Sequence, residues 1–222
     1  MMYVHTAFPN NIYALDLNDN QKIVWSYFPK QDPSVQAVLC CDNVNRGLGY
    51  GDGKIILNQN DGMVVALDAK TGKKIWDVRN VDPKVGATNT NAPHVIKDKI
   101  LTGCSGAEFG VRCFMAAYNL KDGSLAWKAY STGSDVDALI GKDFNKDTPL
   151  YSALSVYEDV NGGNKMGGSF KKIDTAKLKG GEKDLGLKTW LKPQAVKDGW
   201  QHGGGSVWGW YPYDPKTNLV YY

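Results

Sequence analysis

The chain has 222 residues, enough for one large domain, and its 42% hydrophobic and 22% charged residues exclude a disordered polypeptide. A formal net charge of +3 is too small to argue for a nucleic-acid partner, and no apolar run approaches membrane-spanning length. With 12 Tyr, 7 Trp and 25 Gly, the composition favours a β-rich fold with many turns.

The opening Met1-Met2-Tyr3-Val4-His5 has neither the basic start nor the apolar core of a signal peptide. It reads as the middle of a strand, and the true N-terminus is expected upstream. A repeat then sets in. Ala14-Leu15-Asp16 leads to Trp25, Ala66-Leu67-Asp68 to Trp76, and Ala117-Tyr118-Asn119 to Trp127, with the alanines 52 and then 51 residues apart. Each unit reads as a strand, a tight polar turn and a returning strand. Thr71-Gly72 and Asp122-Gly123 supply turn positions that tolerate positive φ. Further strands are expected at Lys54–Leu57 and over Val95–Leu101, the latter broken by the turn Lys97-Asp98-Lys99. Roughly four strands per repeat make a β-propeller blade, and the near absence of helical periodicity ranks a solenoid of hairpins lower.

Residues 134–189 break this pattern. Between Lys165 and Lys197 there are nine lysines against Asp174, Glu182 and Asp184, punctuated by Gly162-Gly163, Gly167-Gly168 and Gly180-Gly181. This is expected to be a solvated surface insertion, with a short helical turn at Thr175–Lys179. The hairpin pattern resumes at Tyr211–Tyr222. The expected architecture is all-β: about three propeller blades and part of a fourth, over 1–222, continuing beyond both ends.

The residues that could carry chemistry are few. The adjacent pair Cys40-Cys41 is either a disulfide between neighbours, requiring a distorted peptide and an oxidising compartment, or two reduced buried thiols. Cys104 and Cys113 have no metal-ligand spacing and read as free buried thiols. Arg46, five residues after Cys41, could hydrogen-bond a carbonyl or carboxylate in forked geometry. Thr90 lies between Asn89 and Asn91. In Ser105-Gly106-Ala107-Glu108, small residues let backbone amides approach an anion, and the carboxylate could hold a hard cation; by composition alone a turn with a solvent-exposed Glu ranks above that reading. Gly203-Gly204-Gly205-Ser206-Val207-Trp208 clears space for something flat to lie on an indole. No hydrolase triad spacing, zinc-protease motif, P-loop or dinucleotide fingerprint occurs, and His5, His94 and His202 are scattered.

Taken together, Cys40-Cys41-Asp42, Asn45-Arg46-Gly47, the run Cys104–Arg112 and Gly203–Tyr211 resemble the large subunit of PQQ-dependent methanol dehydrogenases, a quinoprotein alcohol dehydrogenase family. The Ala-to-Trp repeats resemble that family's tryptophan-docking motifs. The likeness covers 1–133 and 186–222. It implies an eight-bladed propeller with pyrroloquinoline quinone (PQQ) in a central chamber. Cys40–Cys41 would be a vicinal disulfide on one face of the quinone, with Trp208 stacked on the other. Arg46, Thr90, Ser105, Gly106, Ala107 and Ser206 would contact its polar edge, Ser206 standing where the family usually has Thr. Glu108 would be a ligand of a calcium or lanthanide ion, and Glu108-Phe109-Gly110-Val111-Arg112 looks closer to the lanthanide branch.

The implied reaction is oxidation of methanol or another primary alcohol. Hydride passes to PQQ, a metal ion assists, and electrons leave to a cytochrome c in the periplasm. The implied assembly is a homodimer or a heterotetramer with a small subunit. The aspartate base and the remaining metal ligands would lie beyond Tyr222, so this segment alone is expected to be inactive. Two alternatives are a sister PQQ alcohol dehydrogenase of broader specificity and a non-enzymatic propeller acting as an envelope scaffold, which would lack Cys40–Cys41 and Glu108.

Overall fold

The computed structural model describes residues 1–39, 42–132, 157–159, 170–172 and 203–222. The chain divides into two compact units, one of Met1–Leu139 with Trp200–Tyr222 and one of Ile140–Gly199. In the second unit the described residues are strands β12 (Tyr157–Asp159) and β13 (Phe170–Lys172), an antiparallel pair. The rest of the lysine-rich stretch, including Thr175–Lys179, lies outside the described residues.

The first unit is built from antiparallel sheets. β1 (Met2–His5), β2 (Ile12–Asp16) and β3 (Lys22–Tyr27) form the first. β4 (Leu48–Gly51), β5 (Lys54–Asn58), β6 (Met63–Asp68) and β7 (Lys74–Arg79) form the second. The third contains β8 (His94–Ile96), β9 (Lys99–Thr102), β10 (Phe114–Asn119) and β11 (Leu125–Tyr130), and β14 (Tyr213–Asp214) pairs with β15 (Leu219–Val220). The only helical elements among the described residues are 3-10 turns at Pro33–Val38, Pro83–Val85 and Ala107–Phe109. The turn foreseen at Lys97 is present, with φ of 55° between β8 and β9.

Strand alternation explains how the sheets stack, because successive side chains point to opposite faces. In the second sheet, Ile55, Leu57, Val65 and Leu67 pack with Ile12, Ala14 and Trp25 of the first. Their neighbours Ile56, Val64 and Ala66 face the other way and pack with Ile100, Phe114, Ala116 and Tyr118 of the third. The far face of the third sheet, Leu101, Met115 and Ala117, packs with Val207 and Tyr211. Central strands β5, β6 and β10 are therefore buried on both faces and read as continuous apolar runs.

The fifty-residue repeat has a specific structural meaning. Each repeat alanine is fully buried and pairs across the hairpin with the repeat tryptophan: Ala14 with Trp25, Ala66 with Trp76, Ala117 with Trp127. In all three the register shifts directly after the alanine, a β-bulge that turns the returning strand. The Trp25 and Trp76 indoles then dock on the next sheet. Trp25 Nε1 donates to Ala69 O at 3.1 Å, and Trp76 Nε1 to Leu120 O at 3.3 Å. Gly72 and Gly123 lie flat on these rings, so that a Cβ on either would come within 2.5 Å and 2.7 Å of the indole. The glycines of the two polar turns are thus needed twice, for φ of 69° and 74° and for the contact.

Candidate functional site

Antiparallel pairing sends the segments entering β4 and β8, and the loops β1–β2, β5–β6 and β9–β10, to one end of their sheets. Here the polar residues converge. Asn10, Asn58, Asn60, Thr88, Asn89, Thr90, Asn91, Thr102 and Ser105 are all at most 1% exposed, although nearly every one is in or beside a loop. Most of their polar atoms bond one another and the backbone, whereas Asn58 Oδ1, Thr88 Oγ1 and Asn91 Oδ1 are buried without a partner among the described residues. Asn58 Nδ2 donates to Asn91 O at 3.0 Å and Thr102 Oγ1 at 2.8 Å. Asn80 Nδ2 donates to Asn89 Oδ1 and Gly103 O, and accepts through Oδ1 from Tyr118 OH at 3.0 Å. Burial pushes the Tyr118 phenol up to about 12, which keeps it a donor.

Four of the sequence-predicted residues are linked at this end. Arg46 Nη1 donates to Thr90 O at 3.0 Å, and the Thr90 and Ser105 hydroxyls share a hydrogen bond of 2.6 Å. The Arg46 guanidinium lies over the Trp208 ring, 4.6 Å from its centroid, and partial burial lowers its pKa by desolvation. Ser105 is held by a two-way backbone bridge to Thr88, with N···O distances of 2.9 Å and 3.2 Å. Trp208 remains 41% exposed and Ser206 is half-buried. The segment bearing both is fixed by Val207 N donating to Cys104 O at 2.9 Å and by the buried Tyr211, whose OH donates to Leu101 O at 2.9 Å. Gly203 fits against Ala107 O, where a Cβ would come within 2.6 Å.

Gly106 and Ala107 form the entry to the 3-10 turn that carries Glu108, and Glu108 is exposed in its first turn. Among the described residues no group of three or more His, Cys, Asp or Glu gathers around it. Cys40 and Cys41 lie outside the described residues.

One expectation is overturned. Cys104 and Cys113 are not free thiols but a disulfide. β9 ends at Thr102 and β10 starts at Phe114, so the intervening loop returns to its origin and leaves the two Cα atoms 5.6 Å apart, within bridging range. Metal spacing was the wrong criterion for this pair. The bridge closes a loop that contains Ser105, Gly106, Ala107 and Glu108. The Cys104→Ala/Cys113→Ala double variant is expected to lose about 2–3 kcal/mol of stability on the loop-entropy scale. An unchanged urea midpoint and slope would oppose that.

Sequence reasoning passed over the asparagine network and the Tyr211 anchor. The signal available was the density of amides in Asn58-Gln59-Asn60 and Asn89-Thr90-Asn91, each directly after or before an apolar strand.

The profile of the PQQ_2 family, described as outer membrane protein assembly factor BamB, matches residues 1–141. Over all 222 residues the chain is 47% identical to a lanthanide-dependent methanol dehydrogenase of Methylorubrum extorquens, covering 31% of that protein. The chain belongs to the quinoprotein methanol dehydrogenase family. It is also 46% identical, over its whole length, to methanol dehydrogenase (cytochrome c) subunit 1 of the same organism, again covering 31% of it. A solved europium-containing methanol dehydrogenase superposes on the whole chain with a TM-score of 0.76 at 43% identity, the chain covering 33% of that structure. The sheets described above are therefore blades of a quinoprotein-type β-propeller. The chain spans about a third of the length of the curated family members it matches.

Proposed function

We propose that this chain forms one wall of a PQQ chamber in an alcohol dehydrogenase that oxidises methanol or another primary alcohol and passes electrons to a cytochrome c. The observation that carries the reading is the linked set Arg46, Thr90, Ser105 and Trp208. A cation, two hydroxyls and an exposed indole suit a flat, anionic, oxygen-rich ligand. The guanidinium offers forked donors to carboxylate or carbonyl oxygens. The hydroxyls of Thr90 and Ser105 are buried and preorganised. The indole offers a stacking face, at present covered by Arg46, which the ligand would displace.

When bound, PQQ would accept the hydride of the alcohol, with a calcium or lanthanide ion as Lewis acid on the quinone. This chain's part is to orient. Arg46, Thr90, Ser105 and Ser206 would hold the polar edge, Gly106 and Ala107 would admit close backbone approach, and Trp208 would support one face. Cys40–Cys41 would form a vicinal disulfide against the other face, and Glu108 would supply a carboxylate to the metal ion. The disulfide Cys104–Cys113 favours an oxidising compartment, hence the periplasm. We take 1–222 as one portion of the propeller, with residues 134–189 inserted into it, within a dimer or a heterotetramer. An envelope scaffold is the second reading, favoured by the matching profile's description as an outer membrane protein assembly factor. It leaves the buried hydroxyl pair and the arginine on the indole without a purpose.

Arg46→Ala should weaken PQQ binding about 10- to 100-fold, the range for losing a charged hydrogen-bonding partner of roughly 1.5–3 kcal/mol. The check is titration followed by quinone absorbance and by tryptophan emission, since PQQ over Trp208 should quench it. Equal affinity of Arg46→Ala and the parent chain would remove the basis of the reading, as would no binding to either.

A further inference from the structure

We propose that Asn60 is a positioning residue for the Arg46–Thr90 pair, a role that rests on the PQQ reading above. Asn60 stands in the β5–β6 turn, fully buried, and its side chain hydrogen-bonds to neither Arg46 nor Thr90. Its single carboxamide nevertheless joins the two segments that carry them. One Nδ2 hydrogen goes to Val44 O at 3.1 Å, two residues before Arg46, and the other to Asn89 O at 3.1 Å, one residue before Thr90. Arg46 Nη1 to Thr90 O, at 3.0 Å, completes a closed ring of hydrogen bonds through Val44, Arg46, Thr90, Asn89 and Asn60.

The orientation of that carboxamide is itself fixed. Asn60 Oδ1 accepts from Asn10 Nδ2 at 2.8 Å, while Asn60 N donates to Asn10 Oδ1 at 3.0 Å, a reciprocal pair between residues fifty apart. Asn10 Oδ1 also accepts from Gln31 Nε2 at 2.9 Å, and Gln31 Oε1 accepts from Asp61 N at 3.0 Å. Both donors and the acceptor of the Asn60 side chain are therefore used, and no alternative rotamer or flipped amide would satisfy the same partners. Asparagine is required at this position because two carbonyls need two donors from one planar group. Aspartate has the same shape, but would set an oxygen against Val44 O and Asn89 O.

The test compares Asn60→Asp with Leu67→Ala, a core cavity at the far end of strand β6, where Leu67 pairs with Ile55 and packs with Ile12, Ala14 and Trp25. Two readouts are needed on folded protein. Hydrogen exchange should show lost protection over 43–47 and 88–91 in Asn60→Asp and unchanged protection there in Leu67→Ala. PQQ affinity should fall at least tenfold in Asn60→Asp and stay within about twofold of the parent in Leu67→Ala. If Asn60→Asp does not fold, Gln31→Ala, which loosens the Asn10–Asn60 pair from its half-buried side, should show the same pattern at smaller amplitude. Unchanged exchange in the 43–47 and 88–91 segments of Asn60→Asp, or parental PQQ affinity in it, overturns the inference, as does the same result in Gln31→Ala where that variant stands in. If the parent chain itself binds no PQQ, the PQQ reading fails, and the exchange result alone decides whether Asn60 holds the two segments.

Discussion

Trp25→Ala is expected to lower the free energy of unfolding by about 3–5 kcal/mol, the range for truncating a buried aromatic residue. The indole is only 9% exposed and sits between two sheets. It contacts Tyr3, with ring centroids 5.8 Å apart, and supports Gly72 across the boundary. Removing it leaves a cavity at a junction where the facing backbone cannot collapse, because Gly72 closes a turn bonded to Asp68. Trp25→Phe separates the two contributions. It keeps most of the flat surface and loses the hydrogen bond to Ala69 O, a cost of about 1 kcal/mol. Urea unfolding followed by far-ultraviolet circular dichroism gives both numbers. A cost for Trp25→Ala of about 0.5 kcal/mol or less, as for an ordinary surface change, would show that the docked indole is not what joins the sheets.

That contact is also why so much of the fold was legible in the sequence. A propeller blade repeats the same contact with its neighbour, so alanine, tight turn and tryptophan recur at nearly constant spacing, and the structure returns them as pairing, bulge and docking. The apolar runs of β5 and β6 do not say which residue meets which sheet, since both strands are apolar on both faces. The candidate site was legible only in part. Arg46, Thr90, Ser105 and Trp208 were found through a resemblance to a family, and their mutual contacts were not foreseen. The asparagine network escaped because its partners are distant in sequence: Asn10 meets Asn60, and Tyr211 meets Asn91. No local rule links such pairs. Cys104 and Cys113 were misread for a related reason. Their separation fits a returning loop and a departing one equally, and only the β9–β10 pairing, Ala116 opposite Thr102, brings the ends together.

Gly106→Ala is the second large expected effect, and it tests the link between backbone packing and the site. Gly106 has φ of 118°, which strains any residue with a Cβ, at a cost of about 1–3 kcal/mol. The same Cβ would stand 2.2 Å from Gly86 O, a backbone atom that has no rotamer to change. Gly86 is itself closely packed on the same loop, since a Cβ there would meet Phe109 Cβ at 2.5 Å. The segment 86–90 and the loop 104–113 must therefore separate, and forced expansion of a packed contact adds about 1–3 kcal/mol. The first bonds to lengthen would be the Thr88–Ser105 bridge and the 2.6 Å contact of the Thr90 and Ser105 hydroxyls. Stability should thus fall by about 2–5 kcal/mol, the range spanned by strain and overpacking together, with a loss of PQQ affinity of at least about tenfold, equivalent to 1.4 kcal/mol. Gly53→Ala is the control. It also has positive φ, but a Cβ there meets nothing within 4 Å, so it should show the strain alone and leave PQQ binding unchanged. If the two variants lose the same stability and bind PQQ equally, close approach at Gly106 is not what holds the two hydroxyls together.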